Sequence, residues 1–175
     1  MSGRLHGAGH RRRYKNVSDR GVQKMKNQTI LPEKNIILES GCRSKDEVIA
    51  YAAELVLGDC SGRAKEKLKQ EIWERERLAY TGIGSHIALV HAESVTVDCP
   101  VTACIRLKKY IDWAPGKAYP PLHKMVKLVF VFAVPKEEGP ETEVLKDMVR
   151  KLGKKETVDR LMRAEQSREI IGIFQ

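Results

Sequence analysis

Three short apolar runs set what this chain can fold into: His86 to His91, Val101 to Leu107 and Val126 to Val134. Rich in Val, Ile and Phe and bounded by turn residues, they read as buried strands. Asn35 to Leu38 is a shorter first strand, closed by Ser40-Gly41. Helical periodicity brackets the strand block. Ser44-Lys45-Asp46-Glu47 is a capping-box signature, with Ser44 as N-cap and Glu47 reaching back to its amide. Val48, Tyr51, Ala52, Leu55 and Val56 then fall on one helical face, and Gly58 ends that helix. A second helix, about Arg63 to Ala79, is expected to bury Leu68, Ile72 and Trp73. After Pro135 the pattern is helical again near Glu141 to Leu152, Glu156 to Met162 and Glu165 to Ile173. Helices before and after a strand block predict an α/β domain with helices packed against a mixed sheet.

The 175 residues are enough for one domain with a full core. The net charge of +9 is unevenly placed. Residues 1–29 hold eight Lys or Arg against Asp19 alone, so +7 of it belongs to them and +2 to the rest. This stretch lacks apolar periodicity, so a basic, disordered N-terminal extension is expected, with the domain proper at residues 30–175. A near-neutral body with few exposed aromatic residues argues against a nucleic-acid-binding module. No apolar run approaches the ~18 residues of a membrane span, and no apolar signal core follows the basic start. Cys42, Cys60, Cys99 and Cys104 form no C-x-x-C pair, so no metal site is expected, and unpatterned thiols fit a reducing cytoplasm.

The chemistry concentrates between Arg75 and Ala92. A helix ends in Arg75-Glu76-Arg77, the glycine-rich Thr81-Gly82-Ile83-Gly84 follows, and an apolar strand delivers His91 at its far end. A neutral imidazole nitrogen can attack a phosphoryl group and hold it covalently. Charge then spreads over three oxygens, which a guanidinium and exposed amides stabilise, and glycines let the backbone approach closely. Each piece alone has a plainer reading: a strand-end histidine as structure, Gly-x-Gly as a tight turn, arginines as partners of the helix dipole. Arg77 lies about 200° around the helix from Arg75, so the two cannot face one site.

In order and spacing these pieces resemble enzyme IIA of the fructose–mannitol type, from the phosphoenolpyruvate-dependent sugar phosphotransferase system. That family shows R-E-x-x-x-x-T-G-I-G-x-G-x-A-I-P-H, and here Arg75-Glu76, Thr81-Gly82-Ile83-Gly84, Ala88 and His91 are in register. Leu31-Pro32-Glu33, the helix start at Ser44 and Val126 to Phe130 leading to Pro135 extend the likeness from about Ile30 to Phe174. The resemblance implies a three-layer α/β/α domain with a mixed sheet of four or five strands. It implies that His91 accepts a phosphoryl group from the histidine-containing phosphocarrier protein. The group would pass to a transporter B component, or serve as a signal to a regulatory target protein. Arg75 would be the charge-stabilising residue, with Thr81, Gly84 and Ser85 lining the phosphoryl loop, and no cofactor is called for.

Three departures accompany the match. Leu89-Val90 stands where the family has Ile-Pro, and His86 stands where it has a small residue. No histidine occurs around Glu141 to Leu145, where many members carry a second one. On a regular strand Ile87, Leu89 and His91 share a face and His86 takes the other, so an accessory role for His86 would need a bulge. The departures leave an alternative, a regulatory relative that keeps the fold and binds partners with weak or no transfer.

Overall fold

The computed structural model describes residues 30–136 and 142–175. The basic extension, 1–29, and the start of the helix expected at Glu141 lie outside the described residues. A 3-10 turn, Glu33–Asn35, leads into β1 (Ile36–Ser40), followed by α1 (Lys45–Leu57) and α2 (Gly62–Leu78). Then come β2 (Gly82–Gly84), β3 (Ile87–Ser94), β4 (Val101–Asp112), the one-turn α3 (Pro121–Lys124) and β5 (Met125–Pro135). The chain closes with α4 (Thr142–Leu152), α5 (Lys155–Arg163) and α6 (Ser167–Phe174).

The five strands form one mixed sheet in the order β1-β4-β5-β3-β2. β1 runs parallel to β4 and β3 parallel to β5, while β4–β5 and β2–β3 are antiparallel. β5 lies at the centre, which is why its sequence is an apolar run without alternation: both faces are covered. Val129, Val131 and Ala133 pack with Val48, Ile49, Ala52, Leu68 and Ile72 of α1 and α2. Leu128, Phe130 and Phe132 pack with Leu145, Met148, Leu161 and Ile170 of α4, α5 and α6. The result is the expected three-layer α/β/α arrangement.

Differences from the sequence reading have local causes. Glu47 does reach back over the start of α1, but its carboxylate accepts from the amide of Arg43 at 2.8 Å, while Ser44 Oγ accepts from the Glu47 amide. β4 runs past Leu107 because a bulge between Arg106 and Ile111 throws Lys108, Lys109 and Tyr110 outward before pairing resumes. Arg106 itself is buried, its guanidinium donating to the carbonyls of Leu38, Leu161 and Met162. Trp73 is partly buried rather than fully so. The largest correction is Thr81 to Gly84, expected as a turn. Gly82–Gly84 is an edge strand, and the chain reverses one step later, at Ser85-His86.

Candidate functional site

β3 carries His91 in its middle, in parallel register with Phe132 of β5, and pairs for three residues more to Ser94, past the strand end that the sequence suggested. Pleating puts Ile87, Leu89 and His91 on the face that looks toward α4–α6. β2 covers only the start of the outer edge of β3, with Gly82 opposite Ala88, so the edge beside His91 is left to α2. The last turn of α2 supplies Arg75, whose Nε lies 2.9 Å from His91 Nε2. An arginine Nε–H can only donate. Nε2 must therefore carry the lone pair, and the neutral ring holds its proton at Nδ1.

Burial lowers the His91 pKa from its ordinary value, and the Arg75 charge lowers it further, against smaller opposing effects from Glu76 and Glu93. The imidazole is thus held neutral at physiological pH, with a basic nitrogen aimed at a cation. That is the protonation state a nitrogen nucleophile needs.

His91 and Arg75 stand between two hollows of different character. On one side is a cavity of about 510 Å³ with mostly apolar walls, including Ile83, Leu89, Phe132, Val134, Leu145 and Val149. On the other is a polar cleft of about 330 Å³, where Glu71, Glu74, Glu93, Lys67 and Lys136 surround the same pair. The α4 contribution to the cavity, Leu145, Lys146 and Val149, escaped the sequence reading. Its only sequence signal is the i, i+4 spacing of Leu145 and Val149, which reads equally well as core. Among the described residues no grouping of three or more His, Cys, Asp or Glu could hold a metal ion.

Of the other residues singled out by sequence, Thr81 reaches the cavity and Gly84, Ser85 and His86 do not. Thr81 is buried and its Oγ1 accepts from Trp113 Nε1 at 2.9 Å, while its carbonyl accepts from the amide of Leu89. Ser85 and His86 have φ of 51° and 63°, the two-residue left-handed turn that fits the twist of a tight hairpin. This turn sits beyond Ile87, about 13 Å down the strand from His91 at ~3.3 Å per residue. His86 is held there by structure. Its amide donates to Leu122 O, its carbonyl accepts from Lys127 and Leu128, and its Nδ1 lies 2.7 Å from Met125 O.

The glycines of the motif also have a structural use. Gly82 lies beneath the turn before β5, where a Cβ would come within 2.3 Å of the His123 carbonyl oxygen and 2.6 Å of the Tyr80 hydroxyl. Gly84 has φ of 104° and faces the His123 ring. Gly82→Ala should therefore destabilise the fold by about 1–3 kcal/mol, since the obstructing atom is backbone. Gly41→Ala, with nothing within 4 Å of the added carbon, is the control. Equilibrium denaturation of the two variants compares them, and equal midpoints would contradict the crowding.

Fold and site together define an α/β domain that presents a neutral histidine on a sheet strand, capped by an arginine, beside an apolar cavity. The family model of the phosphoenolpyruvate-dependent sugar phosphotransferase system, EIIA 2, matches residues 29–175, and the chain belongs to that family. It is 27% identical over 143 residues to a fructose-specific EIIA component of Haloferax volcanii, covering 81% of this chain and 90% of that protein. It is 24% identical over 149 residues to a multiphosphoryl transfer protein of Escherichia coli O157:H7, covering 83% of this chain but 17% of that much longer protein. Among solved structures, nitrogen regulatory protein IIA-Ntr of Neisseria meningitidis superposes with a TM-score of 0.71 at 28% identity, over 83% of this chain and 97% of that one.

Proposed function

We propose that the protein is a phosphocarrier in which His91 Nε2 accepts a phosphoryl group from the phosphohistidine of a histidine-containing phosphocarrier protein. It then passes the group to a transporter B component, or displays it to a regulatory target. The observation that carries this reading is the 2.9 Å contact between Arg75 Nε and His91 Nε2. It sets the lone pair on Nε2 and puts a guanidinium where phosphoryl charge would arrive.

In the transfer step the Nε2 lone pair forms a bond to phosphorus as the donor's P–N bond breaks, and the bonding pair returns to the donor imidazole. The Nδ1 proton of His91 stays in place, so no general base is required. Arg75 swings from the ring nitrogen to the phosphoryl oxygens, exchanging one charge-assisted contact for another. The apolar cavity offers the partner a surface that sheds water as the two proteins meet, which strengthens the guanidinium–phosphoryl attraction. The donor is itself a protein phosphohistidine, so the step needs neither metal nor organic cofactor. No helix among the described residues is long and apolar enough to cross a membrane, and we place the protein in the cytoplasm with its donor.

Labelled phosphoenolpyruvate, passed through enzyme I and the phosphocarrier protein, tests the reading directly. Label that is stable in base and labile in acid is the expected result. An unlabelled but folded protein, beside a family member that labels in the same mixture, would overturn it. One observation favours a second reading, a partner-binding module with little transfer: His91 is the sole histidine among the residues lining the cavity.

A further inference from the structure

Behind the Arg75–His91 contact lies a buried cluster that the transfer step does not touch. Glu76, the neighbour of Arg75, has a side chain only 2% exposed and pairs with Lys45 at the start of α1. The Lys45 ammonium stands over two indole rings, 4.9 Å from the centroid of Trp113 and 5.4 Å from that of Trp73. Trp113 Nε1 donates to Thr81 Oγ1, and the Thr81 carbonyl accepts from the amide of Leu89, two residues before His91. A single ammonium therefore ties together the helix end that carries Arg75 and the strand that carries His91.

A buried ion pair is a poor way to gain stability, because desolvation offsets much of the attraction and apolar residues of similar volume do as well. Its directional contacts are better suited to fixing geometry. Ile72 anchors the preceding turn of α2 in the core, and within the last turn, where Arg77 and Leu78 are exposed, the Glu76–Lys45 pair extends that anchoring. We propose that Lys45, Glu76 and Trp113 are positioning residues that hold the Arg75 guanidinium in line with His91 Nε2. Its kinetic consequence rests on the phosphocarrier reading, while its structural consequence does not. Glu76 has a second influence, since its charge opposes the effect of Arg75 on the imidazole. The other charged groups around His91 are Lys67, Glu71 and Glu74 of α2, Glu93 of β3, Lys136 after β5 and Lys146 of α4.

The test uses the full chain with two substitutions chosen to avoid an uncompensated buried ion. K45M/E76Q removes both charges together, and W113F removes the indole donor to Thr81 while keeping a smaller aromatic ring at the position that Lys45 overlies. K45R, which keeps a cation over the rings, is the conservative variant. The structural readout is the ring-nitrogen NMR pattern of His91 in unphosphorylated protein, with the through-hydrogen-bond coupling from Arg75 Nε. The wild type should show one tautomer, protonated at Nδ1, and a detectable coupling. K45M/E76Q and W113F, folded, should lose the coupling and populate both tautomers, and K45R should keep the wild-type pattern. The rate of phosphoryl acceptance at saturating donor should fall at least ten-fold in the first two variants, with the half-saturating donor concentration little changed. If K45M/E76Q does not fold, W113F decides. Wild-type tautomer, coupling and rate in a folded variant would overturn the proposal. A changed tautomer in protein whose wild type takes no phosphate would leave the positioning role standing and remove the phosphocarrier reading instead.

Discussion

His91→Ala should accept no label from the phosphocarrier protein, a loss of roughly 10³-fold or more, as for other nucleophile deletions. The fold should survive the change. His91 is partly exposed, and its backbone pairing with β5 within β3 does not involve the imidazole. Removing the ring leaves Arg75 facing a small gap beside the polar cleft, where water can solvate it. The companion variants sharpen the result. His86→Ala should label normally, because His86 sits at the hairpin turn with Nδ1 committed to Met125 O. His123→Ala should label as well, because its Nδ1 lies 3.1 Å from Gly82 O and its ring packs on Gly84. Both substitutions remove packing and hydrogen-bond contacts, so labelling is read only on protein with a native melting transition. Label surviving in His91→Ala and vanishing in His86→Ala would move the acceptor to the other end of the hairpin.

The strands with no polar alternation were the most legible part of the sequence. Val126 to Val134 reads as a buried strand, and β5 is that strand, covered on both faces. Family resemblance singled out Arg75 and His91 but not their contact, which arises because a hairpin folds back between a helix end and a histidine 16 residues later. The hairpin itself was not legible. Thr81-Gly82-Ile83-Gly84 has the composition of a turn, while the residues that do turn, Ser85 and His86, take left-handed φ with no glycine to signal it. That conformation is held by long-range contacts, the His86 amide to Leu122 and its ring to Met125, which no local pattern reveals. The same reason hid α4 from the site. Leu145 and Val149 look like core spacing, and only the tertiary fold leaves them lining the cavity beside Leu89 and Phe132. Gly84 and Ser85, which the resemblance put in the phosphoryl loop, lie at the hairpin turn and do not line the cavity.

Arg75→Ala should slow phosphoryl acceptance by about 10²–10³-fold, or about 2.7–4 kcal/mol, the range for removing one group that stabilises developing charge. The loss should fall on the transfer rate more than on docking, because the cavity walls from β3, β5 and α4 stay in place. A second effect follows from the imidazole. Burial depresses the His91 pKa and Arg75 depresses it further, so removing the guanidinium lets the pKa rise toward 6.5, helped by Glu76 and Glu93. The protonated ring cannot attack, so the acid limb of the rate profile should move to higher pH in the variant. Arg75→Lys should recover only part of the rate, since an ammonium keeps the charge but cannot present a planar guanidinium to two phosphoryl oxygens at once. Arg77→Ala is the matched control: Arg77 is exposed and faces Asp46, Glu66 and Trp73, away from His91. A pH–rate series on the three variants separates the two roles. If Arg75→Ala lowers the rate equally at every pH, the arginine acts on the phosphoryl group alone. If the loss disappears above the ordinary histidine pKa, its whole contribution is to keep Nε2 unprotonated, and the phosphoryl charge must be met by the partner's side of the interface.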